Sequence, residues 1–196
     1  MIPDRVRLPI AIDAARLAAE VDALAPEWTR HVNRRDYAGD WGSCALRGPA
    51  GERHPIRMNS AGFHLTAFED APAMASAPYV RELLARLHCP LRGVRLMRLA
   101  AGAAIHTHSD PFLSIEEGHA RLHAPVRTSD SVDFRLNGSR VAMAPGSLWY
   151  LRLSDPHSVD NPGKVDRIHL VIDVDPNDWL RTTLAAAAEQ MILSQA

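Results

Sequence analysis

The chain has 196 residues, of which 46% are hydrophobic and 23% charged, and its formal net charge is −1. These values are typical of a soluble globular protein. The near-neutral charge excludes a protein that binds nucleic acid or an anionic membrane surface through a large basic patch. At this length one domain is expected, so we predict a single domain over residues 1–196.

The cysteine content and the N-terminus indicate the compartment. Cys44 and Cys89 form no C-x-x-C motif and are too few for a disulfide framework or a thiolate zinc site. The N-terminus has no apolar run typical of a secretory signal, and no stretch approaches the length that crosses a membrane. The sequence therefore predicts a cytoplasmic protein and leaves its oligomeric state open.

Two segments of the first ninety residues have helical periodicity. Asp13 is a favourable N-cap for a helix that carries Leu17, Val21 and Leu24 on one face and ends at Pro26. The other expected elements are strands at 5–10 and 41–47, a loop at 48–51, irregular chain at 61–77 and a helix at 77–88.

Between residue 93 and residue 174 the chain changes to short β-suited runs separated by turn residues, among which Asn137-Gly138 is a strong hairpin signal. The predicted strands are 93–99, 103–108, 119–127, 131–136, 140–142, 147–153 and 167–174. This pattern predicts a mainly β protein, a sandwich or double-sheet jelly roll with a pocket between its sheets. The core is expected at about 93–175, and a helix is expected at 175–194.

One strand carries three potential metal ligands. Alternate side chains of a strand share a face, so His106, His108 and Asp110 are all expected to point into the barrel. Only His108 and Asp110 have the His-x-Asp order of a two-His-one-carboxylate iron site, and His157 is placed to supply the third ligand from a distant strand. Such a site leaves coordination positions open for a 2-oxo acid and dioxygen, and His106 is left as a pocket group.

An arginine follows the third ligand at a distance of ten residues. Arg167 begins the last predicted strand, and its guanidinium is suited to bind the distal carboxylate of 2-oxoglutarate with two hydrogen bonds. Arg121 and His123 alternate on one strand face, as do Arg167 and His169. Burying such groups costs free energy unless a partner is present, which an anionic co-substrate or substrate supplies; the alternative is a solvated polar face.

These residues resemble the aspartyl/asparaginyl β-hydroxylase family, on the branch that includes bacterial proline cis-4-hydroxylases. The resemblance covers most of the chain and is most specific from about residue 93 to 175. The motifs that carry it are His108-Ser-Asp110, Arg121-Leu-His123, Gly146-Ser-Leu-Trp-Tyr150, His157-Ser-Val159, Arg167-Ile-His-Leu-Val-Ile-Asp173, Asp40-Trp-Gly-Ser-Cys-Ala-Leu-Arg47 and the helix at 12–24.

The resemblance implies a double-stranded β-helix that uses Fe(II), 2-oxoglutarate and O2 to hydroxylate an amino acid. It implies His108, Asp110 and His157 as iron ligands and Arg167 as the anchor of the distal carboxylate of 2-oxoglutarate. His123 is similar to a histidine near the C1 carboxylate. Arg121 is similar to an arginine that contacts anionic groups of the substrate or co-substrate.

The resemblance leaves the amino acid open. Members that act on protein domains lack the carboxylate ligand that Asp110 supplies here, which favours a free amino acid or a small carrier-bound one over a peptide. The chain has one helix after residue 175, where the proline hydroxylases have a longer helical region. Pocket residues suited to an amino acid, as an apolar wall or an anion partner, are Trp41, Arg47, Arg98 and His106.

Two other classes of protein remain open from the residues alone. A cupin-type metal enzyme that uses no 2-oxo acid shares the pattern His106-x-His108 followed by Glu116 or Glu117, but it leaves Arg167 unexplained. A non-catalytic jelly-roll binding module holds metal or ligand without producing succinate.

Overall fold

The computed structural model describes residues 2–62 and 64–193, which form two antiparallel sheets together with several helices. The strands are β1 Arg5–Leu8, β2 Thr29–Arg30, β3 Tyr37–Ala38, β4 Trp41–Pro49, β5 Phe68–Asp70, β6 Leu91–Leu99, β7 Ala104–His108, β8 Ala120–Arg127, β9 Asp133–Leu136, β10 Ser139–Arg140, β11 Leu148–Leu151, β12 His157–Asp160 and β13 Arg167–Val174. The helices are α1 Ala14–Leu24, α2 Pro55–Met58, α3 Pro78–Leu84 and α4 Asp178–Leu193, with a 3-10 helix at Pro72–Ser76.

The last eight strands alternate between the two sheets, except that β9 and β10 form a hairpin within one sheet. Strands β11, β8, β13 and β6 are neighbours in the eight-stranded sheet, and β10, β9, β12 and β7 are neighbours in the five-stranded sheet. This alternation is the double-stranded β-helix, a jelly roll, and it confirms the predicted fold class. The early strands extend both sheets, since β1 pairs with β11, β4 with β6 and β3 with β7.

The central strand β13 separates two different environments, and all of its residues are buried. Ile168, Leu170 and Ile172 belong to the apolar core beneath the helices, which also contains Leu17 of α1 and Leu184 of α4. The opposite face of the same strand carries polar residues toward the space between the sheets. A second apolar cluster, with members from both sheets, lies on this side of the strand.

The first predicted helix is confirmed by its cap and its buried face. The Asp13 carboxylate accepts a hydrogen bond from the amide of Arg16 at 2.9 Å, and Leu17 and Val21 are buried while Leu24 is partly buried. The second predicted helix is shorter than expected, because regular helix ends at Leu84 and turns follow.

Several short elements differ from the sequence-based expectation. The segment at 61–77, predicted to be irregular, contains β5 and the 3-10 helix, and β12 is absent from the set of predicted strands. The predicted hairpin is confirmed, because Asn137 and Gly138 have φ angles of 51° and 74° and join β9 to β10. Helix α4 begins after Asn177, whose side chain accepts from the amide of Leu180, and the predicted end at residue 194 lies outside the described residues.

None of the described helices combines the length and the apolar composition that crossing a membrane requires.

Candidate active site

A cavity of about 590 Å³ opens between the two sheets. Polar side chains from both sheets line this cavity. Its volume is within the range of small-molecule binding sites. The predicted site residues that line this cavity are Trp41, His108, Asp110, Arg121, His123, His157 and Arg167.

His108, Asp110 and His157 form a compact triad at one side of the cavity. One potential ligand atom from each residue lies within 4.8 Å of the other two. His108 and His157 are direct partners in the pairing of β7 with β12, and the amide of Asp110 donates to the carbonyl of Leu153 at 2.8 Å. Two neighbouring strands and one loop hydrogen bond therefore bring the three side chains together.

Backbone carbonyls determine which ring nitrogen of each histidine is available. His108 Nδ1 lies 2.8 Å from the carbonyl of His106, and His157 Nδ1 lies 3.0 Å from the carbonyl of Asp155. Because a carbonyl only accepts, each Nδ1 carries a proton, so the lone pair of a neutral ring lies on Nε2. Burial lowers the pKa of His157, which favours the neutral ring. The triad thus offers two imidazole Nε2 atoms and one carboxylate, the donor set of a non-haem Fe(II) site.

His106 lies outside the cavity, which corrects the expectation that it points into the barrel. Between the pairs His157–His108 and Val159–Ile105, β12 advances by two residues and β7 by three, so β7 contains a bulge. The bulge keeps Ile105 and His108 on the cavity side and leaves His106 exposed, with its Nδ1 3.3 Å from a backbone carbonyl. Simple alternation failed here because of the extra residue.

Asp110 of the triad also belongs to a group of four charged residues that we call the paired cluster: Asp110, Arg121, Asp173 and Arg95. Arg121 donates to Asp110 Oδ2 at 2.8 Å and to Asp173 Oδ1 at 2.6 Å, and Arg95 donates to Asp173 Oδ2 at 2.7 Å. Burial opposes ionisation of Asp173, but the two guanidiniums outweigh it and hold the pKa of Asp173 well below its ordinary value. Asp173 is therefore ionised between the two guanidiniums, and the cluster contains as many carboxyl groups as guanidiniums.

Three groups deeper in the barrel form what we call the unpaired cluster: Arg167, His169 and His123. Arg167 Nη2 lies 3.1 Å from His169 Nδ1, and its Cζ lies 5.8 Å from the ring centroid of Phe134. No carboxylate among the described residues pairs with Arg167, and burial lowers its pKa to about 9. His123 Nε2 and Arg167 Nε are buried without a hydrogen-bond partner in the described chain.

The alternative of a solvated polar face is wrong for His123, Arg167 and His169, since all three are buried. A buried cation without a counter-ion is costly. The unpaired cluster is therefore suited to receive an anion from the cavity.

Trp41 lines the cavity as expected, with its ring stacked on His31 at a centroid distance of 3.6 Å. Two other predicted pocket residues do not line it. Arg47 donates to Asp70 and to the carbonyl of Phe68 across the β4–β5 pair. This pairing directs its charge to the edge of the sheet.

Arg98 is likewise outside the cavity lining. Its guanidinium is hydrogen-bonded to Asp40, lies 3.6 Å from Asp166 and is positioned over the ring of Trp28. The expectation that Arg98 is a pocket residue is therefore also wrong, because two carboxylates and an aromatic ring already pair with its guanidinium.

Sequence reasoning missed Arg95, Asp173 and His31 as cavity residues. Two of them carry a signal that was available: Arg95 is a charge within the apolar run of β6, and Asp173 shares the alternation of Arg167 and His169 on β13. His31 has no such signal, because it lies in a loop whose position depends on the stacking with Trp41.

The sequence profile of the aspartyl/asparaginyl beta-hydroxylase family matches residues 10–176. The chain belongs to this family. Among curated proteins it is 30% identical over 185 residues to L-proline cis-4-hydroxylase of Rhizobium meliloti (strain 1021), a match that covers 88% of this chain and 62% of the relative. The chain thus spans less than two thirds of the length of that relative.

Solved structures support the fold. An oxidoreductase of the 2OG-Fe(II) oxygenase family from Burkholderia pseudomallei superposes with a TM-score of 0.55 at 20% identity, covering 89% of this chain and 86% of that chain. The epimerase SnoN in complex with Fe3+ and alpha ketoglutarate superposes with a TM-score of 0.52 at 12% identity, covering 88% of this chain and 79% of that chain. At these identities the likeness concerns the architecture.

Proposed function

We propose that the chain is an Fe(II)- and 2-oxoglutarate-dependent dioxygenase that hydroxylates an unactivated C–H bond of an amino acid. The observation that carries this proposal is the coexistence, in one cavity, of a His/Asp/His triad and a buried guanidinium for which the described residues supply no carboxylate. A site that only holds metal has no need of the guanidinium, whereas a dicarboxylate co-substrate needs both.

The metal is proposed to bind Nε2 of His108, Nε2 of His157 and Oδ1 of Asp110. Both Nε2 atoms keep their lone pairs, and the second carboxylate oxygen of Asp110 is held by Arg121. In this arrangement Arg121 acts as a positioning residue that keeps one oxygen of Asp110 directed to the metal. Its full set of hydrogen bonds to Asp110 and Asp173 supports this role rather than a free anion site.

The co-substrate is proposed to place its distal carboxylate against Arg167 and its C1 carboxylate near His123. The guanidinium offers two parallel donors to a carboxylate, which an ammonium group does not. Burial in a low-dielectric cavity strengthens this ion pair once it forms.

When bound, iron, 2-oxoglutarate and dioxygen together supply the oxidation of the C–H bond, with succinate and carbon dioxide as co-products. The chain supplies binding and orientation. The triad fixes the metal, Arg167 and His123 orient the co-substrate, and the two sheets surround the cavity and limit the access of water. Trp41 stacked on His31 supplies a rigid wall for the substrate.

A free amino acid is the proposed substrate, with a small carrier-bound amino acid as the other possibility. The relative whose name states its activity acts on proline, and Asp110 is present here as a carboxylate ligand. Among the residues predicted to contact the substrate, Trp41 and Arg121 line the cavity.

The proposal includes the organisation and the location of the chain: one domain built on β6–β13, working in the cytoplasm. Both Cys44 and Cys89 are free, which agrees with a reducing compartment. Limited proteolysis should leave one resistant fragment that contains the whole barrel, and cell fractionation should find the protein with cytoplasmic markers.

An anaerobic titration tests the proposed cofactors. Adding Fe(II) and 2-oxoglutarate together should produce a weak visible charge-transfer band that neither produces alone. A metal enzyme of the cupin type should bind Fe(II) without this band. The glutamates that such a site would use, Glu116 and Glu117, are exposed and do not line the cavity.

A succinate-release screen over free amino acids, including proline, aspartate and asparagine, tests the substrate class. We expect one or a few of them to stimulate succinate formation together with a hydroxylated product. Stimulation by carrier-linked or peptide substrates alone would contradict the free amino acid, and metal binding without any succinate would contradict the enzymatic function.

A further inference from the structure

His169 is a buried polar residue to which the proposed function assigns no role. It follows Arg167 by two residues on β13, so both side chains lie on the same face of the strand. Only 1% of His169 is exposed. A buried imidazole at this position needs a reason beyond packing, since an apolar residue would fill the space without desolvating ring nitrogens.

The contact with Arg167 fixes the tautomer of His169. Arg167 Nη2 lies 3.1 Å from His169 Nδ1, and a guanidinium nitrogen only donates. His169 Nδ1 must therefore be the unprotonated acceptor, and the neutral ring carries its proton on Nε2. Burial, together with the charge of Arg167, lowers the pKa of His169 well below its ordinary value, which favours the neutral ring.

The ring of His123 lies beside this contact. The Nδ1 atoms of His123 and His169 lie 3.4 Å apart, at the long end of the hydrogen-bond range. The unprotonated Nδ1 of an imidazole has one lone pair, and Arg167 Nη2, at 3.1 Å, is the nearer donor to it. His169 therefore accepts mainly from Arg167, and His123 Nε2 has no hydrogen-bond partner among the described residues.

We propose that His169 is a positioning residue for the co-substrate: its unprotonated Nδ1 anchors the guanidinium of Arg167. This inference rests on the proposed function. His169 Nδ1 is the acceptor that the described residues provide for Arg167, whose Nε is buried without a partner. The guanidinium keeps its remaining donors for a carboxylate.

The position of a second cavity explains why Arg167 needs an anchor. This cavity, of about 230 Å³, is lined by both Arg167 and His169, and the main cavity is lined by Arg167 as well. The pair therefore lies between the two spaces. A guanidinium without its acceptor on His169 is free to turn toward the second cavity and away from the co-substrate.

Substitutions of His169 by residues of similar size distinguish the loss of the hydrogen-bond acceptor from the loss of packing. His169→Asn keeps an acceptor close to the position of Nδ1, His169→Leu removes it, and His169→Gln extends its acceptor beyond that position. With a redox-inert divalent metal in place of iron, calorimetry measures the dissociation constant of 2-oxoglutarate directly. We expect it to rise by roughly 10-fold to 100-fold in the Leu and Gln variants, in the range of other supporting-residue substitutions, and to change little in the Asn variant.

Kinetics and spectroscopy provide further readouts. The Leu variant should show a raised KM for 2-oxoglutarate with a nearly unchanged kcat at saturating co-substrate, because the triad is intact. In nitrogen-15 spectra of the metal-free wild type, His169 Nδ1 should have the shift of an unprotonated ring nitrogen.

Three results would overturn the inference: a protonated His169 Nδ1, an unchanged dissociation constant in a folded Leu variant, or equal losses in the Asn and Leu variants. Should the Leu variant fail to fold, the comparison of Asn with Gln carries the same test, and equal dissociation constants in those two overturn it. Failure of the proposed function is distinguishable, because then the wild type itself does not bind 2-oxoglutarate.

Discussion

The paired and unpaired clusters line the same cavity and differ in how their charges are satisfied. In the paired cluster, Asp173 lies between Arg95 and Arg121, and Arg121 continues to Asp110. In the unpaired cluster, Arg167 has a neutral histidine and an aromatic face beside it. The protein has therefore completed one set of ionic contacts during folding and left the other incomplete.

This difference separates structure from binding. A completed buried ion pair orients its members and is costly to break, whereas a buried cation without a counter-ion lowers stability until a ligand supplies one. We therefore expect substitutions in the paired cluster to affect folding first, and those in the unpaired cluster to affect co-substrate binding first.

The largest effect is expected for Asp173→Asn, which leaves the buried Arg95 and Arg121 without an ionised partner between them. The free energy of unfolding should fall by about 3–5 kcal/mol, as for other buried pairs that lose one member. Urea unfolding of the metal-free protein measures this. Asp70→Asn, which removes the partly exposed ion pair with Arg47, is the control and should cost less than about 1 kcal/mol. Equal losses in the two variants would contradict the distinction.

Asp110→Ala should remove both metal binding and succinate formation, because the carboxylate is the proposed oxygen ligand. A loss of more than about 100-fold in iron affinity is expected, since even supporting residues of metal sites cost 10–100-fold. Metal titration and a succinate assay measure the two effects. The exposed Asp130→Ala is the matched control. Normal succinate formation in Asp110→Ala would remove this residue from the ligand set.

Arg167→Leu should act in the opposite way to Asp173→Asn. Removing an uncompensated buried cation should not lower the free energy of unfolding of the ligand-free protein, and replacing buried charge by apolar volume is often neutral or stabilising. The concentration of 2-oxoglutarate needed for half-maximal turnover should rise by about 10–100-fold or more, because an ion pair with hydrogen bonds is lost.

Arg167→Lys is the control for that prediction, since it keeps the charge and loses the two-pronged geometry. We expect an intermediate requirement for 2-oxoglutarate. An unaltered requirement in the Leu variant would show that Arg167 does not bind the co-substrate.

The smallest effect concerns pH. Burial lowers the pKa of His123 and of His169, so both rings stay neutral in the folded state while the unfolded chain takes up protons below about pH 6.5. Their contribution to stability is therefore complete above that pH and is lost as the pH falls toward the lower folded-state values.

His169→Asn should make the fall in unfolding free energy between pH 7 and pH 5 shallower, by at most about 1.4 kcal/mol per pH unit for one proton. Asp173→Asn should keep the wild-type slope in this window. The lowered pKa of Asp173 means that its own contribution is complete above about pH 4 and is lost only as the pH falls below that value. Urea unfolding at several pH values separates the two clusters.

The strands and the triad were predictable because they depend on local patterns. Alternation and turn residues locate the barrel strands, and His-x-Asp with a distant histidine and arginine is a pattern that short strands bring to one face. The structure places one potential ligand atom of each of His108, Asp110 and His157 within 4.8 Å of the other two, as that pattern predicts.

The corrections come from contacts between elements. Arg47 and Arg98 were predicted as pocket residues, but in the structure they form ion pairs with Asp70 and Asp40. No local sequence pattern predicts these partners. Arg121 was expected to meet an anion of the substrate or co-substrate, but its partner is Asp173, fifty-two residues later on a neighbouring strand. The register of β13 against β8 places Asp173 opposite Arg121, and this register is not visible in the local sequence.

The bulge in β7 has a further consequence for strand dynamics. A regular pairing of β7 with β12 that starts from Ile105 and Val159 would set Thr107, rather than His108, opposite His157. Only the bulged register assembles the triad, and an ion held by both histidines cross-links the two strands in that register. Loading the site with metal should therefore slow amide hydrogen exchange in β7 and β12, in step with occupancy.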